Sequence, residues 1–92
     1  MAVMKLSLSL SLYHYFSCPF CALVRRAVDR LGLSLELRDV HASRDHRREL
    51  LEATGRRTVP CLRIESEEGE VQWMHESRDI IAYLERTYPK AA

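Results

Sequence analysis

The chain has 92 residues, of which 47% are hydrophobic, and this length suits one small domain with a single core. The hydrophobic fraction is too high for an intrinsically disordered chain. The sequence has 14 basic and 13 acidic residues, so the net charge is +1 and gives no reason to expect nucleic acid or a membrane surface as a partner. Three cysteines cannot form a closed set of disulfides, which excludes a small disulfide-stabilised secreted domain.

The N-terminal segment predicts neither a membrane span nor a signal peptide. No stretch of about 18 consecutive apolar residues occurs in the sequence. Leucine alternates with serine from Leu6 to Leu12, whereas the apolar segment of a signal peptide is continuous. Strict alternation indicates a β-strand instead. We therefore expect a cytoplasmic protein with reduced cysteines and no membrane partner.

The first part of the chain predicts a strand, a helix and a second strand. The first strand lies within Leu6–Tyr15, where leucine recurs at every second position. A helix follows over Pro19–Leu31, because proline suits the first position of a helix. The predicted apolar face of this helix consists of Phe20, Leu23, Val24, Ala27, Val28 and Leu31. Three alternating leucines predict the second strand over Leu33–Val40.

The rest of the chain predicts a helix, two strands and a final helix. Ser43 is the expected N-cap of the second helix, which continues to about Ala53 and is ended by Thr54-Gly55. Short strands are predicted around residues 62–64 and 71–73, and Ser77 is the expected cap of the last helix. The order β-α-β-α-β-β-α begins with a parallel, right-handed unit and ends with an antiparallel hairpin. The expected fold is therefore an α/β domain with a four-stranded mixed sheet flanked by helices.

The sequence Cys18-Pro19-Phe20-Cys21 carries the expected chemistry, because it lies between the first strand and the first helix. Free backbone N–H groups and the helix dipole favour an anion at a helix N-terminus. The Cys18 sulfur is therefore the predicted thiolate nucleophile. Cys21 lies one turn later, close enough to attack a disulfide formed on Cys18. We predict that Cys18 and Cys21 are the catalytic pair of a thiol–disulfide exchange reaction.

Other interpretations of the cysteine pair are weaker. A structural zinc site would need paired ligands, but the sequence has no second pair of cysteines at this spacing. The remaining candidate ligands are Cys61, His14, His41, His46 and His75. Two inert, buried cysteines are a further alternative, although a proline between them at a helix start argues against it. We expect no metal, and we expect Cys61 to be a half-buried strand residue rather than a third redox group.

A second motif, Thr58-Val59-Pro60, begins the third strand, although a strand interior rarely contains proline. Together with the cysteine motif it predicts a cis bond before Pro60. With these two motifs the chain resembles a glutaredoxin, and it is also similar to the N-terminal, thioredoxin-fold domain of glutathione transferases. The resemblance extends from about Leu8 to Tyr88. The pair Glu76-Ser77 resembles the transferases more than most glutaredoxins.

The resemblance implies a thioredoxin-like fold, with glutathione as a co-substrate and no tightly bound cofactor. Val59, just before Pro60, would pair through its backbone with the cysteinyl part of glutathione. Glu76 and Ser77 would hold the γ-glutamyl end, whose carboxylate suits a helix N-terminus. Arg57 would meet the glycine carboxylate of glutathione.

Two features depart from the glutaredoxin pattern. Tyr15 occupies a position at which many glutaredoxins have a lysine that attracts a carboxylate and helps to stabilise the thiolate. The sequence to Ala92 contains no helical domain of the transferase kind, so we do not expect a complete transferase site for bulky electrophiles. Phe20 either lines the glutathione groove or belongs to the core.

We therefore predict that residues 1–92 form one glutaredoxin-like domain, a glutathione-dependent thiol–disulfide oxidoreductase. Its expected partners are glutathione and disulfide-bonded or glutathionylated client proteins, and we expect a monomer. One alternative is a glutathione-binding or redox-sensing module with weak turnover. Another is an iron–sulfur cluster shared by two chains through Cys18 and two glutathiones, although Cys21 counts against it, since most cluster-binding relatives lack the second cysteine.

Overall fold

The computed structural model describes residues 9–89, which form seven helices and strands. The strands are β1 (Ser9–His14), β2 (Glu36–Asp39), β3 (Cys61–Glu65) and β4 (Val71–His75), and the helices are α1 (Pro19–Arg30), α2 (Arg44–Thr54) and α3 (Ser77–Thr87). The predicted order of elements is confirmed. Leu6 and Leu8, at which the predicted first strand and the resemblance begin, lie outside the described residues. None of these helices is both long and apolar enough to cross a bilayer.

The four strands form one mixed sheet in the order β2-β1-β3-β4. Strand β1 is parallel to β2 and antiparallel to β3, and β3 is antiparallel to β4. In this register Leu12 lies opposite both Leu37 and Leu62, and Tyr13 lies opposite Cys61. The fold class is therefore the predicted thioredoxin-like one.

Helices cover both faces of the sheet and enclose two clusters of buried side chains. Helices α1 and α3 cover one face, where the buried cluster consists of Leu12, Val24, Val28, Leu62, Ile64, Ile80 and Leu84. Helix α2 covers the other face, where the cluster consists of Tyr13, Val40, Leu50 and Cys61. Burial of each large aliphatic side chain stabilises the fold by about 1.5–3 kcal/mol, so both clusters hold the sheet and helices together.

The central strand β1 is buried on both faces, although its serine–leucine alternation is typical of a strand with one solvent-exposed face. Leu12, Tyr13 and His14 are fully buried, and Ser11 is 2% exposed. The Ser11 hydroxyl donates a hydrogen bond of 3.4 Å to the Glu36 carboxylate. The Ser11 side chain is therefore covered, because neighbours flank the strand and helices lie on both sides.

Two predicted apolar patterns differ from the structure. Strand β2 begins at Glu36 rather than Leu33, and Leu37 within it is 43% exposed. The leucines before β2 still pack against the core, but they do so from the connection that follows α1. On α1, Phe20 and Leu23 are 59% and 43% exposed, whereas Cys21 is fully buried. The buried stripe of α1 is therefore narrower than predicted and includes a cysteine.

Of the two serines predicted as N-caps, one is confirmed at the start of α2 and the prediction for the start of α3 is wrong. Ser43 is the N-cap of α2, and its Oγ accepts a hydrogen bond of 3.2 Å from the His46 N–H. Gly55 ends α2 with φ of 73°, a left-handed conformation that glycine adopts without steric cost. Ser77 was predicted to cap α3, but it is the first helical residue, and Glu76 is the N-cap.

Candidate functional site

Cys18 is the N-cap of α1, and its sulfur takes part in the cap. The Cys18 Sγ accepts a hydrogen bond of 3.3 Å from the Cys21 N–H, while Pro19 fills the first helical position. The Cys18 N–H donates to the Tyr15 carbonyl at 3.2 Å and closes the turn between β1 and α1. A backbone donor and the positive end of the helix dipole therefore face the sulfur, and both favour negative charge there. The Cys18 side chain is only 5% exposed.

Cys21 is fully buried and lies behind Cys18 in the first turn of α1. Both thiols are free. Burial, together with the hydrogen bond to Cys18, raises the pKa of Cys21 to about 12. Cys21 is thus a protonated thiol at neutral pH, so the two cysteines of the motif are not equivalent.

Cys61 belongs to the buried cluster under α2, directly after Pro60. Its side chain is fully buried rather than half-buried, and burial raises the pKa of this thiol to about 11. A protonated thiol in the core is a poor nucleophile. Cys61 is thus placed as a core residue of β3.

A cleft of about 340 Å³ lies between the start of β3 and the start of α3. Its walls are formed by Phe20, Arg56, Thr58, Val59, Pro60, His75, Glu76, Ser77 and Arg78. The Val59–Pro60 bond is cis, as predicted. The cleft therefore brings together Val59, Pro60, Glu76 and Ser77, four of the predicted glutathione residues. Phe20 forms part of the wall and does not belong to the core.

Arg57 does not line this cleft, contrary to the role predicted for it. It faces a separate groove of about 250 Å³, whose other walls are Arg44, Arg47, Arg48 and Leu51. Arg56 and Thr58, on either side of it in the chain, line the cleft instead. Of the two neighbouring arginines it is therefore Arg56 that lies at the cleft, where Arg78 is a second cation.

His75 is a wall residue for which the sequence predicts no role in the cleft. It is the last residue of β4 and directly precedes Glu76. Burial and the charge of Arg56 lower the pKa of His75. Its Nε2 is buried and makes no hydrogen bond within residues 9–89. Its position next to Glu76-Ser77 is the signal that would have marked it.

The start of α3 has an unusual backbone and no side-chain cap. Glu76 has φ of 76° and ψ of 115°, and among the described residues it is the only non-glycine residue with positive φ. The Glu76 side chain makes no capping hydrogen bond with the N–H groups of the first turn of α3. Because Ser77 and Arg78 line the cleft, these N–H groups and the helix dipole are available to an anion there.

Tyr15 supplies no cation at the position where many glutaredoxins have lysine. Its ring stacks on His41, with ring centroids 3.9 Å apart and an angle of 11° between the planes. Its carbonyl accepts the Cys18 N–H. Tyr15 therefore contributes to the site through the backbone. Across residues 9–89, no three His, Cys, Asp or Glu side chains converge in a way that could hold a metal ion.

Comparisons with known proteins agree with this fold. The family model of the glutathione S-transferase N-terminal domain matches residues 12–92. No curated protein matches the chain. A maleylacetoacetate isomerase from Anaeromyxobacter dehalogenans 2CP-1, solved with dicarboxyethyl glutathione and citrate in its active site, is 28% identical with a TM-score of 0.72. The match covers 94% of this chain and 40% of the isomerase.

Two further solved structures are similar. A glutathione transferase homolog from Drosophila mojavensis, solved with bound glutathione, is 25% identical with a TM-score of 0.72, and the match covers 90% of this chain and 36% of the homolog. A trimeric glutathione transferase from Leishmania is 26% identical with a TM-score of 0.73, over 88% of this chain and 18% of that one. The present sequence thus spans well under half of each of these proteins. Because the family match covers most of its residues, the chain belongs to the family of glutathione S-transferase N-terminal domains.

Proposed function

We propose that this domain binds glutathione in the cleft and uses Cys18 for glutathione-dependent thiol–disulfide exchange. The observation that carries the proposal is the Cys18 sulfur at the N-terminus of α1, which accepts the Cys21 N–H at 3.3 Å. The similar isomerase and the Drosophila homolog were solved with glutathione or a glutathione derivative bound, which supports glutathione as the ligand here. A second cysteine one turn into the helix supports exchange chemistry rather than binding alone.

The proposed reaction consists of two exchange steps. The Cys18 thiolate attacks the glutathione sulfur of a mixed disulfide, so that a Cys18–glutathione disulfide forms and the client thiolate leaves. A second glutathione thiolate then attacks the glutathione sulfur on Cys18, which releases oxidised glutathione and restores the Cys18 thiolate. The client–glutathione disulfide and one free glutathione thiol thus become the client thiol and oxidised glutathione, so the free glutathione is oxidised as the client sulfur is reduced.

Cys21 has a secondary role in this scheme. Its high pKa keeps it protonated, so free glutathione competes well as the group that resolves the mixed disulfide on Cys18. On a protein disulfide, Cys21 would instead attack Cys18 and close the Cys18–Cys21 disulfide. The domain would therefore act mainly by a one-cysteine route on small mixed disulfides.

The walls of the cleft suit an extended peptide with a charged group at each end. The N-terminus of α3 and Ser77 favour the α-carboxylate of the γ-glutamyl group, and Glu76 favours its ammonium. The backbone of Val59 is proposed to pair with the cysteinyl part. Arg56 takes the place first assigned to Arg57 and would meet the glycine carboxylate.

A second candidate function is a glutathione-binding domain with little exchange activity. Two observations favour it: the family match is to transferases, and the Cys18 side chain is only 5% exposed. In such a domain the cleft would hold glutathione while Cys18 stayed unmodified. Glutathione affinity would then be preserved without turnover.

The deciding experiment is a glutathione-coupled reduction assay on a small glutathione mixed disulfide, with Cys18→Ser and Cys21→Ser beside the parent. Serine supplies a capping oxygen in place of the Cys18 sulfur, so this variant should fold while losing the nucleophile. We expect Cys18→Ser to abolish turnover and Cys21→Ser to keep much of it. Equal loss in both variants would contradict the one-cysteine route.

Calorimetric titration of the same proteins with glutathione separates the two candidate functions. Binding without turnover in the parent would favour the binding domain. Cys18→Ser should retain glutathione affinity, because the proposed contacts lie at the cleft walls. If neither binding nor turnover occurs in the parent, both candidate functions are wrong.

A further inference from the structure

Arg25 connects α1 to the segment that carries Cys18. Its Nη1 lies 3.1 Å from the Nδ1 of His14, and its Nη2 donates a hydrogen bond of 3.3 Å to the Phe16 carbonyl. Its guanidinium carbon also lies 4.8 Å from the centre of the Phe16 ring. One side chain thus contacts the end of β1 and the turn that follows it.

The buried ring of His14 fixes the orientation of Arg25. A guanidinium has donors only, so Nδ1 of His14 accepts the hydrogen bond and the ring proton lies on Nε2. His14 is fully buried, and its ring meets the Phe16 ring edge-on at 4.7 Å. The Arg25 contact therefore requires a neutral His14 in one tautomer.

The charges around His14 favour this neutral state. Burial is the largest cause that lowers the pKa of His14, and the Arg25 charge from α1 acts in the same direction. Asp39, which is paired with His14 across β1 and β2, opposes the shift. Protonation would place a second cation against Arg25 and remove its acceptor.

Arg25 also lies close to the reactive end of α1. Arg25 donates to the carbonyl of Phe16, which is two residues before Cys18. The Cys18 N–H donates to the carbonyl of Tyr15, the residue before Phe16. Arg25 lies four residues after Cys21, which places both on the same side of α1. Its charge opposes the rise in the pKa of Cys21. Arg25 is thus a cation one helical turn from Cys21, whereas Tyr15 provides none.

We infer that Arg25, held by neutral His14, is a positioning residue that keeps the Cys18 turn in its reactive geometry and supplies positive charge to the cysteine pair. The consequence for turnover rests on the proposed function. The consequence for the reactivity of Cys18 does not, because it concerns the sulfur in the free protein.

The test is the rate at which iodoacetamide alkylates Cys18, followed by peptide mapping, in the parent, Arg25→Ala, Arg25→Lys and Arg26→Ala. Arg26 is the matched control, because it is an exposed neighbour on α1 and makes no ion pair or hydrogen bond within residues 9–89. We expect Arg25→Ala to slow alkylation about tenfold, a difference that corresponds to about 1.4 kcal/mol. Arg25→Lys keeps the charge but cannot hold both contacts, so its rate should be intermediate.

Circular dichroism and thermal unfolding establish that each variant is folded. If Arg25→Ala does not fold, Arg25→Lys decides the question by itself. A folded Arg25 variant that alkylates at the parent rate would overturn the inference, as would equal slowing by Arg26→Ala. Because alkylation needs no glutathione, a parent protein without turnover would refute the proposed function and leave this test intact.

The role of His14 is tested with His14→Asn. The Asn side chain keeps an acceptor near the position of Nδ1, but it cannot be protonated. We expect the ratio of parent to His14→Asn alkylation rates to be constant above about pH 6.5, the ordinary histidine pKa, and to fall below it. A ratio that does not change with pH would show that His14 does not control Arg25.

Discussion

The N-termini of α1 and α2 are closed by their own chain, whereas that of α3 is open. In α1 and α2 the capping atoms are the sulfur of Cys18 and the hydroxyl of Ser43, each of which accepts a backbone N–H three residues later. In α3 the N-cap is Glu76, which accepts no such hydrogen bond with its side chain. The start of α3 lines the cleft with Ser77 and Arg78, next to its N-cap Glu76, whereas the start of α1 contributes only Phe20 and α2 contributes no residue.

The difference shows how a small domain can divide reaction and recognition between two helix ends. At α1 the group that satisfies the helix end is also the candidate nucleophile. At α3 the free donors are left for a ligand anion, and the backbone of Glu76 adopts an uncommon conformation at that point. Such conformations cost about 1–3 kcal/mol and cluster at functional sites. The two ends therefore predict opposite responses to substitution.

The largest expected effect is at Glu76. Glycine adopts positive φ without steric cost, so Glu76→Gly should raise the free energy of unfolding by about 1–2 kcal/mol. Loss of the carboxylate should at the same time weaken glutathione binding about tenfold, the usual size for a charged hydrogen bond. Urea unfolding and calorimetric titration with glutathione measure the two effects.

Glu76→Ala is the matched control, because it removes the same carboxylate but keeps a side chain at positive φ. It should weaken glutathione binding as much as Glu76→Gly without the gain in stability. Equal stability of the two variants would show that the backbone of Glu76 is not strained. Unchanged affinity in both would remove Glu76 from the glutathione site.

The next comparison removes a serine hydroxyl from the start of α2 in one variant and from the start of α3 in another. Ser43→Ala removes a cap, so it should lower the free energy of unfolding by about 1 kcal/mol and leave the glutathione dependence of turnover unchanged. Ser77→Ala should leave the free energy of unfolding unchanged and weaken glutathione binding, because Ser77 is not the N-cap of α3 and lines the cleft. The loss of one neutral hydrogen bond predicts a few-fold weaker glutathione affinity.

Urea unfolding and a glutathione titration of both serine variants complete this comparison. If Ser77→Ala destabilises the fold as much as Ser43→Ala, then Ser77 acts in the helix rather than in the site. If Ser43→Ala alters glutathione affinity, then the closed and open helix ends are not independent.

The residues that could be predicted from the sequence are those whose role depends on local chain geometry. Cys18, Ser43 and Gly55 each follow from the rules for a helix end, and the structure confirms their positions at these ends. The cis bond before Pro60 was expected only because the cysteine motif accompanied it. The cleft residues Glu76 and Ser77 came from the family resemblance, and the structure shifts the cap of α3 from Ser77 to Glu76.

The roles that could not be predicted are those decided by the direction in which a side chain points and by what it contacts. Arg56 and Arg57 are identical neighbours in the sequence, but they line different cavities. Arg25 is one of several arginines on α1, and its role requires contact with His14, which is 11 residues away. The burial of both faces of β1 likewise depends on its central place in the sheet. No local pattern in the sequence contains this information.

The smallest expected effect is the loss of stability at mildly acidic pH. Two histidines contribute to it: His14 near the closed end of α1 and His75 beside the open end of α3. Burial lowers the pKa of both from the ordinary value of 6.5. The unfolded chain therefore binds more protons than the folded one in this window, so stability falls with decreasing pH. The full contribution is present above pH 6.5 and is lost as the pH falls through the lower folded values.

Thermal unfolding of the parent, His14→Asn and His75→Asn between pH 7.5 and 5 measures these contributions. Each substitution should make the acid-induced drop in melting temperature smaller, and the effect should be larger for His14, which is fully buried. The carboxylates of Glu36, Asp39 and Glu49 also have lowered pKa values, but from ordinary values of 4.5 or below, so their effect belongs to a more acidic window.

Glutathione adds a second readout for the open end. Protonation of His75 would add positive charge beside the proposed carboxylate sites, so glutathione should protect the parent more strongly at pH 5.5 than it protects His75→Asn. Equal protection of the two proteins would separate His75 from the ligand and leave it as a buried residue of β4.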